Sequence, residues 1–154
     1  MIRTSLAVVI LLAGSAAALA DPTEDCDKRN GEIQIRGCTE LIRLDPRNAY
    51  AHFNRGFAYR GNKDYDRAIV DYTKAIEINP RYAKAYVGRG RAYDDKKDYD
   101  RAIADFNTAI EIDPRYALAY VARGIVYRAK SENDRANADF DKAIEIDPTI
   151  QRPR

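Results

Sequence analysis

His52 is the only histidine among the 154 residues, and Cys26 and Cys38 are the only cysteines. A structural zinc site takes four Cys, His or carboxylate ligands, and one imidazole with two separated thiols does not supply them. The cysteines lack the C-x-x-C spacing of a redox pair. No glycine-rich phosphate loop and no G-x-S-x-G nucleophile elbow occurs. Carboxylates are plentiful, but Asp64/Asp98, Glu77/Glu111/Glu145 and Asp113/Asp147 recur at a fixed interval. Such recurrence fits helix capping and solvated faces rather than a single acid/base pair. We therefore expect no catalytic residue, metal or cofactor, and a chain that is not an enzyme.

The interval itself is the informative feature. "KDYDRAI" stands at Lys63–Ile69 and again at Lys97–Ile103, and the shift that lays the first copy on the second aligns three units, 48–81, 82–115 and 116–149. Each unit carries Arg-Gly and then Tyr (Arg55, Gly56, Tyr59; Arg89, Gly90, Tyr93; Arg123, Gly124, Tyr127), then Asp-Arg-Ala, then Tyr72, Phe106 or Phe140. Each closes on Pro80, Pro114 or Pro148. Within the first unit, Phe53, Gly56, Phe57 and Tyr59 are spaced as on a helix of about residues 49–60. Gly61-Asn62 breaks it, Asp64 is placed to cap a second helix, and Ala68, Ile69, Tyr72, Ala75 and Ile76 form that helix's apolar stripe. Proline then stops it. Self-similarity at this period means a stack of one helix–turn–helix unit.

Residues 1–20 read as an export signal: Arg3, the apolar run Leu6–Leu12, and the small-x-small site Ala18-Leu19-Ala20. The run is too short to span a bilayer comfortably, so no membrane insertion is expected after cleavage. The mature chain would start at Asp21, lie in the periplasm or be secreted, and lose only Arg3 from a formal charge of +2. Interleaved charges of both signs argue against a nucleic-acid partner, which needs clustered Lys and Arg.

The three units resemble the tetratricopeptide repeat, whose pattern is matched at Gly56/Gly90/Gly124, Tyr59/Tyr93/Tyr127, Ala68/Ala102/Ala136, Tyr72/Phe106/Phe140 and the three prolines. Two slots depart: His52, Tyr86 and Tyr120 replace the family's Trp, and Arg55, Arg89 and Arg123 replace its Leu. The resemblance implies an all-α, right-handed α-solenoid and a non-catalytic adaptor for a protein or peptide. His52 is then expected as a packed ring. Each arginine is followed at one constant spacing by an aspartate on the partner helix (Asp71, Asp105, Asp139), so three intra-unit Arg–carboxylate pairs are expected.

Upstream, "LIRLDPR" at 41–47 aligns with "AIEINPR" at 75–81, which makes 21–47 a partial repeat. A Cys26–Cys38 disulfide would tie it, in keeping with an oxidising compartment, while pairing between chains, a free thiol or a metal role remain open. By the family's geometry the concave groove would be lined by Tyr50, Phe53, Asn54, Phe57 and Arg60, then Lys84, Val87, Arg91, Asp94 and Asp95, then Leu118, Val121, Ile125 and Arg128. These positions vary between units where the packing positions do not. The set suits a short peptide with apolar anchors and an acidic group. Asn54 and Lys84 match two positions of the family's carboxylate clamp, whereas Gly88, Leu118 and Ala122 do not. The third unit reads "ENDRAN", with Asn133 and Asn137 replacing Tyr and Ile, and residues 150–154 form a short tail. Ile144 and Ile146 stay on that outer face, so a homo-oligomer formed through it is the alternative reading.

Overall fold

The computed structural model describes residues 21–28 and 31–153, so the expected signal segment lies outside the described residues. Among the described residues eight helices follow in order: α1 (Pro22–Asp27), α2 (Gly31–Leu44), α3 (Ala49–Gly61), α4 (Tyr65–Ile78), α5 (Ala83–Asp95), α6 (Tyr99–Ile112), α7 (Ala117–Ala129) and α8 (Asn133–Ile146). They pack as consecutive antiparallel pairs, each laid against the next, in an all-α solenoid.

Local chemistry explains the helix ends. Asn48 caps α3 by accepting from the Ala51 amide at 2.9 Å, and Asp64 and Asp98 cap α4 and α6 by accepting from the amides of Arg67 and Arg101 at 3.1 and 3.3 Å. As the Gly61-Asn62 pair suggests, α3 ends at Gly61 with Asn62 as its cap, and the left-handed residue of the turn comes directly after. Lys63, Lys97 and Ser131 adopt the left-handed conformation at φ 62°, 62° and 64°. Two backbone bonds close each such turn, as Lys63 N–H to Arg60 O and Asp64 N–H to Tyr59 O, both 2.9 Å. That pairing is the Schellman motif.

Small residues set the helix spacing. A Cβ added at Gly90 would come 2.6 Å from the Phe106 ring, and one at Gly124 would come 2.7 Å from Phe140. Tyr72 meets its own unit's Gly56 on one side and the following unit's Gly88 on the other. Between α1 and α2 the approach is closer, since a Cβ on Gly37 would lie 2.5 Å from the Cys26 backbone nitrogen. Cys26 and Cys38 are fully buried there, with sulfurs at a bonding distance of 2.09 Å.

The expected arginine pairs are present in all three units. Arg55, Arg89 and Arg123 each grip Asp71, Asp105 or Asp139 through two nitrogens at 2.7–2.8 Å. The third guanidinium nitrogen reaches back to the preceding helix pair, meeting Thr39 at 3.1 Å, Thr73 at 3.1 Å and Asn107 at 2.6 Å. His52 is buried between the Asp71 carboxylate and the Pro46 carbonyl, each 3.2 Å from a ring nitrogen. Tyr120 reaches the equivalent carbonyl of Pro114 at 3.3 Å, so the slot does the same task in these two units.

Substitutions at these contacts have defined outcomes. Asp105→Ala strands a guanidinium that is only 19% exposed, and should cost about 3 kcal/mol in denaturant unfolding, with Arg89→Met in the same chain recovering part of it. Lys97→Gly relieves a left-handed side-chain residue and should raise stability by about 0.5–1 kcal/mol in the same assay. Acid should act on Asp71: burial raises its pKa, but the bonds from Arg55 and then His52 outweigh this and hold the carboxyl below its ordinary value. A depressed carboxyl contributes stability above its unfolded value of about 3.9 and loses it as pH falls through the folded value. Thermal melts should therefore drop below about pH 4, and less steeply in Asp71→Asn.

Candidate functional site

The first helices of the units, α3, α5 and α7, carry the residues that the sequence assigns to a groove. Tyr50 is exposed and its hydroxyl donates to Asp27 of α1. Asn54 lies 3.5 Å from the same carboxylate. Phe53 is half-buried, with its ring centroid 5.7 Å from Tyr72 and 5.1 Å from Tyr82. Phe57 is exposed at a hollow of about 240 Å³ shared with Gly31 and Gln34 of α2. Lys84 borders a second hollow of about 300 Å³ with Tyr82, Ile112 and Tyr116. Leu118 and Ile125 are exposed and Val121 is half-buried.

Val87 departs from the expected lining. It is 4% exposed and packs with Ala102, Phe106 and Val126 in the largest apolar cluster. Its counterparts Phe53 and Val121 are also partly covered. Val87 therefore supports the groove floor and offers no open surface, while Phe53 and Val121 keep part of theirs.

The cations of the groove differ sharply from one another. Arg60 is committed across the first junction to Asp95, at 2.6 Å. Arg128 lies 5.2 Å over the Phe140 ring and donates to the Pro153 carbonyl at 2.9 Å. Arg91 is half-buried and makes no hydrogen bond or ion pair among the described residues. Burial, and then the charge of Arg60, push its pKa below the usual arginine value, while Tyr116, Tyr72 and Asp95 oppose this. Beside it, burial and then Asp95 raise the Asp94 carboxyl.

Three groups here were missed by reading the sequence for groove positions. Tyr82 and Tyr116 open their units, at the place where the first unit has Asn48. Burial pushes the Tyr82 hydroxyl up to about 12 and the Tyr116 hydroxyl upward as well. Tyr72, a packing residue by its repetition, also contributes its polar end to the surroundings of Arg91. A change from Asn to Tyr at a unit's first position was the available signal. Among the described residues no cluster of His, Cys, Asp or Glu could hold a metal ion, and no helix is long and apolar enough to cross a membrane.

Comparison with known proteins agrees with this architecture. Family models described as tetratricopeptide repeat match residues 49–82, 83–116 and 117–150. Among solved structures, a crystal structure of MamA is 29% identical over 82% of this chain and 74% of its own, with a TM-score of 0.75. The first TPR of Spaghetti (RPAP3), solved bound to the HSP90 peptide SRMEEVD, is 28% identical over 70% of this chain and 86% of its own, at 0.66. The Arabidopsis OM64 TPR domain is 27% identical over 68% and 86%, at 0.65. No curated protein matches the chain. With three consecutive repeat models covering 49–150, the chain belongs to the tetratricopeptide repeat family.

Proposed function

We propose that this protein-interaction module binds an acidic, apolar-anchored peptide along α3, α5 and α7, with Arg91 as the anion anchor. The observation that carries the reading is the state of Arg91: a half-buried cation with no protein partner among the described residues, surrounded by tyrosines and close to a second arginine. An unpaired buried charge is costly, and an incoming carboxylate would remove that cost with charge-assisted hydrogen bonds. Exposed Tyr50, Phe57, Leu118 and Ile125 offer apolar anchoring on either side. A structural neighbour holds the acidic peptide SRMEEVD, which supports peptide binding as the mode. Here the charge would be read by Arg91, since Gly88, Leu118 and Ala122 leave a Lys/Asn/Arg clamp incomplete.

The alternative, copies joined through the outer face of α8, needs that face to be open. Arg152 lies on it, bonded to Asn137 and Asp141, so the groove reading is favoured. We also propose export to the periplasm or beyond. The signal-like segment 1–20 and the buried, bonded cysteines support this.

Anisotropy titrations with short peptides of matched length, acidic against charge-reversed, test the groove. The acidic set with an apolar residue should bind and weaken as salt rises. Arg91→Met should lower affinity about tenfold or more with the helical spectrum unchanged. Equal binding by Arg91→Met and wild type would remove Arg91 from the site. Intact mass of the exported fraction should correspond to a chain starting at Asp21, and a retained signal in that fraction would contradict cleavage.

A further inference from the structure

We infer that the outer face of α8 carries a guanidinium-binding site, formed by Asn137 and Asp141, and that Arg152 of the same chain occupies it. At each internal junction one side chain on the unit's second helix receives the third nitrogen of the next unit's arginine: Thr39 from Arg55, Thr73 from Arg89, Asn107 from Arg123. The next member of that series, one repeat beyond Asn107, is Asp141. It too receives a guanidinium, that of Arg152, which also donates to Asn137 at 3.1 Å.

The acceptors at this face are changed in the matching sense. Ile35, Ile69 and Ile103 precede Asn137 in their series, and two threonines and an asparagine precede Asp141. Ile103 is packed against apolar neighbours at its junction, whereas Asn137 is exposed and hydrogen-bonded to the arginine. A neutral acceptor suits an arginine already neutralised by its own aspartate. Arg152 has no such aspartate, and the carboxylate of Asp141 supplies the missing charge.

The backbone delivers Arg152 by a different route. Ile150 N–H bonds to Asp147 O at 3.1 Å, as Tyr82 does to Asn79 and Tyr116 to Asp113 at 3.0 Å, so the junction turn is the same. Residues 151–153 then leave the helical path. An extended chain advances about 3.3–3.6 Å per residue against about 1.5 Å in a helix. Arg152, two residues after Ile150, thus meets Asp141 earlier along its chain than Arg89, seven residues after Tyr82, or Arg123, seven after Tyr116, meets its acceptor. Arg128 secures the segment through the Pro153 carbonyl, and Phe140 beneath is only 2% exposed.

Hydrogen exchange of the full mature chain tests the assignment, with Arg152→Glu and the swapped pair Arg152→Glu/Asp141→Arg beside wild type. Repeat arrays open from unsecured faces, so Arg152→Glu should speed exchange of α8 amides up to about fivefold while α3–α6 stay at wild-type rates. The swapped pair should return α8 toward wild type. Unchanged α8 exchange in Arg152→Glu, or equal acceleration across α3–α6, overturns the assignment.

Discussion

The structure depends on one constraint: three guanidinium nitrogens must be satisfied at a place where only a fifth of the side chain meets water. The fork of Arg89 gives two bonds to the carboxylate of its own unit and one to the hydroxyl of the unit before. A single side chain therefore fixes both the angle inside a helix pair and the offset between pairs. Stacked repeats are commonly described by an intrinsic term and a neighbour term, and here one residue contributes to both. Leu in this slot would contribute burial alone; Arg adds direction, because planar bidentate bonding tolerates little rotation.

That constraint also explains why the groove can vary. With spacing fixed by the Arg–Asp forks, by Gly90 against Phe106 and by Gly124 against Phe140, the exposed faces of α3, α5 and α7 are free to carry Tyr50, Lys84 or Leu118 at one equivalent position. The same freedom lets Arg91 stand without a partner among the described residues in the middle of the array. Its desolvation is a local cost, tolerable because the surrounding scaffold does not rely on it.

The fold was legible in the sequence because its determinants repeat. Three copies of Arg-Gly-x2-Tyr and of Ala-Ile-Glu-Ile-Asn/Asp-Pro announce helix pairs, and the constant spacing from each arginine to its aspartate gives the pairing directly. Individual groove residues were less legible, because side-chain direction at one helical position depends on packing beyond it. Val87 was assigned to open surface, yet lies against Phe106 and Val126. Tyr82 and Tyr116 are not among the expected groove residues, because a first position gives no sign of where its ring will lie. The end of α3 at Gly61, with Asn62 as its cap, was legible from the Gly61-Asn62 pair, but the left-handed residue that follows was hidden, since Lys63, Lys97 and Ser131 share no chemistry that favours it.

The arginine forks have a kinetic consequence. Arg55 is as far in sequence from its aspartate as from its threonine, with a separation of 16 in both directions, and the other two arginines keep the same separations. Bonds within a unit and between units thus close loops of one length, so their closure entropies are nearly equal. Mean sequence separation of contacts then stays flat as helix pairs are added. Low contact order goes with rapid folding, and a chain stitched in this way can begin at any junction and grow in either direction at similar speed.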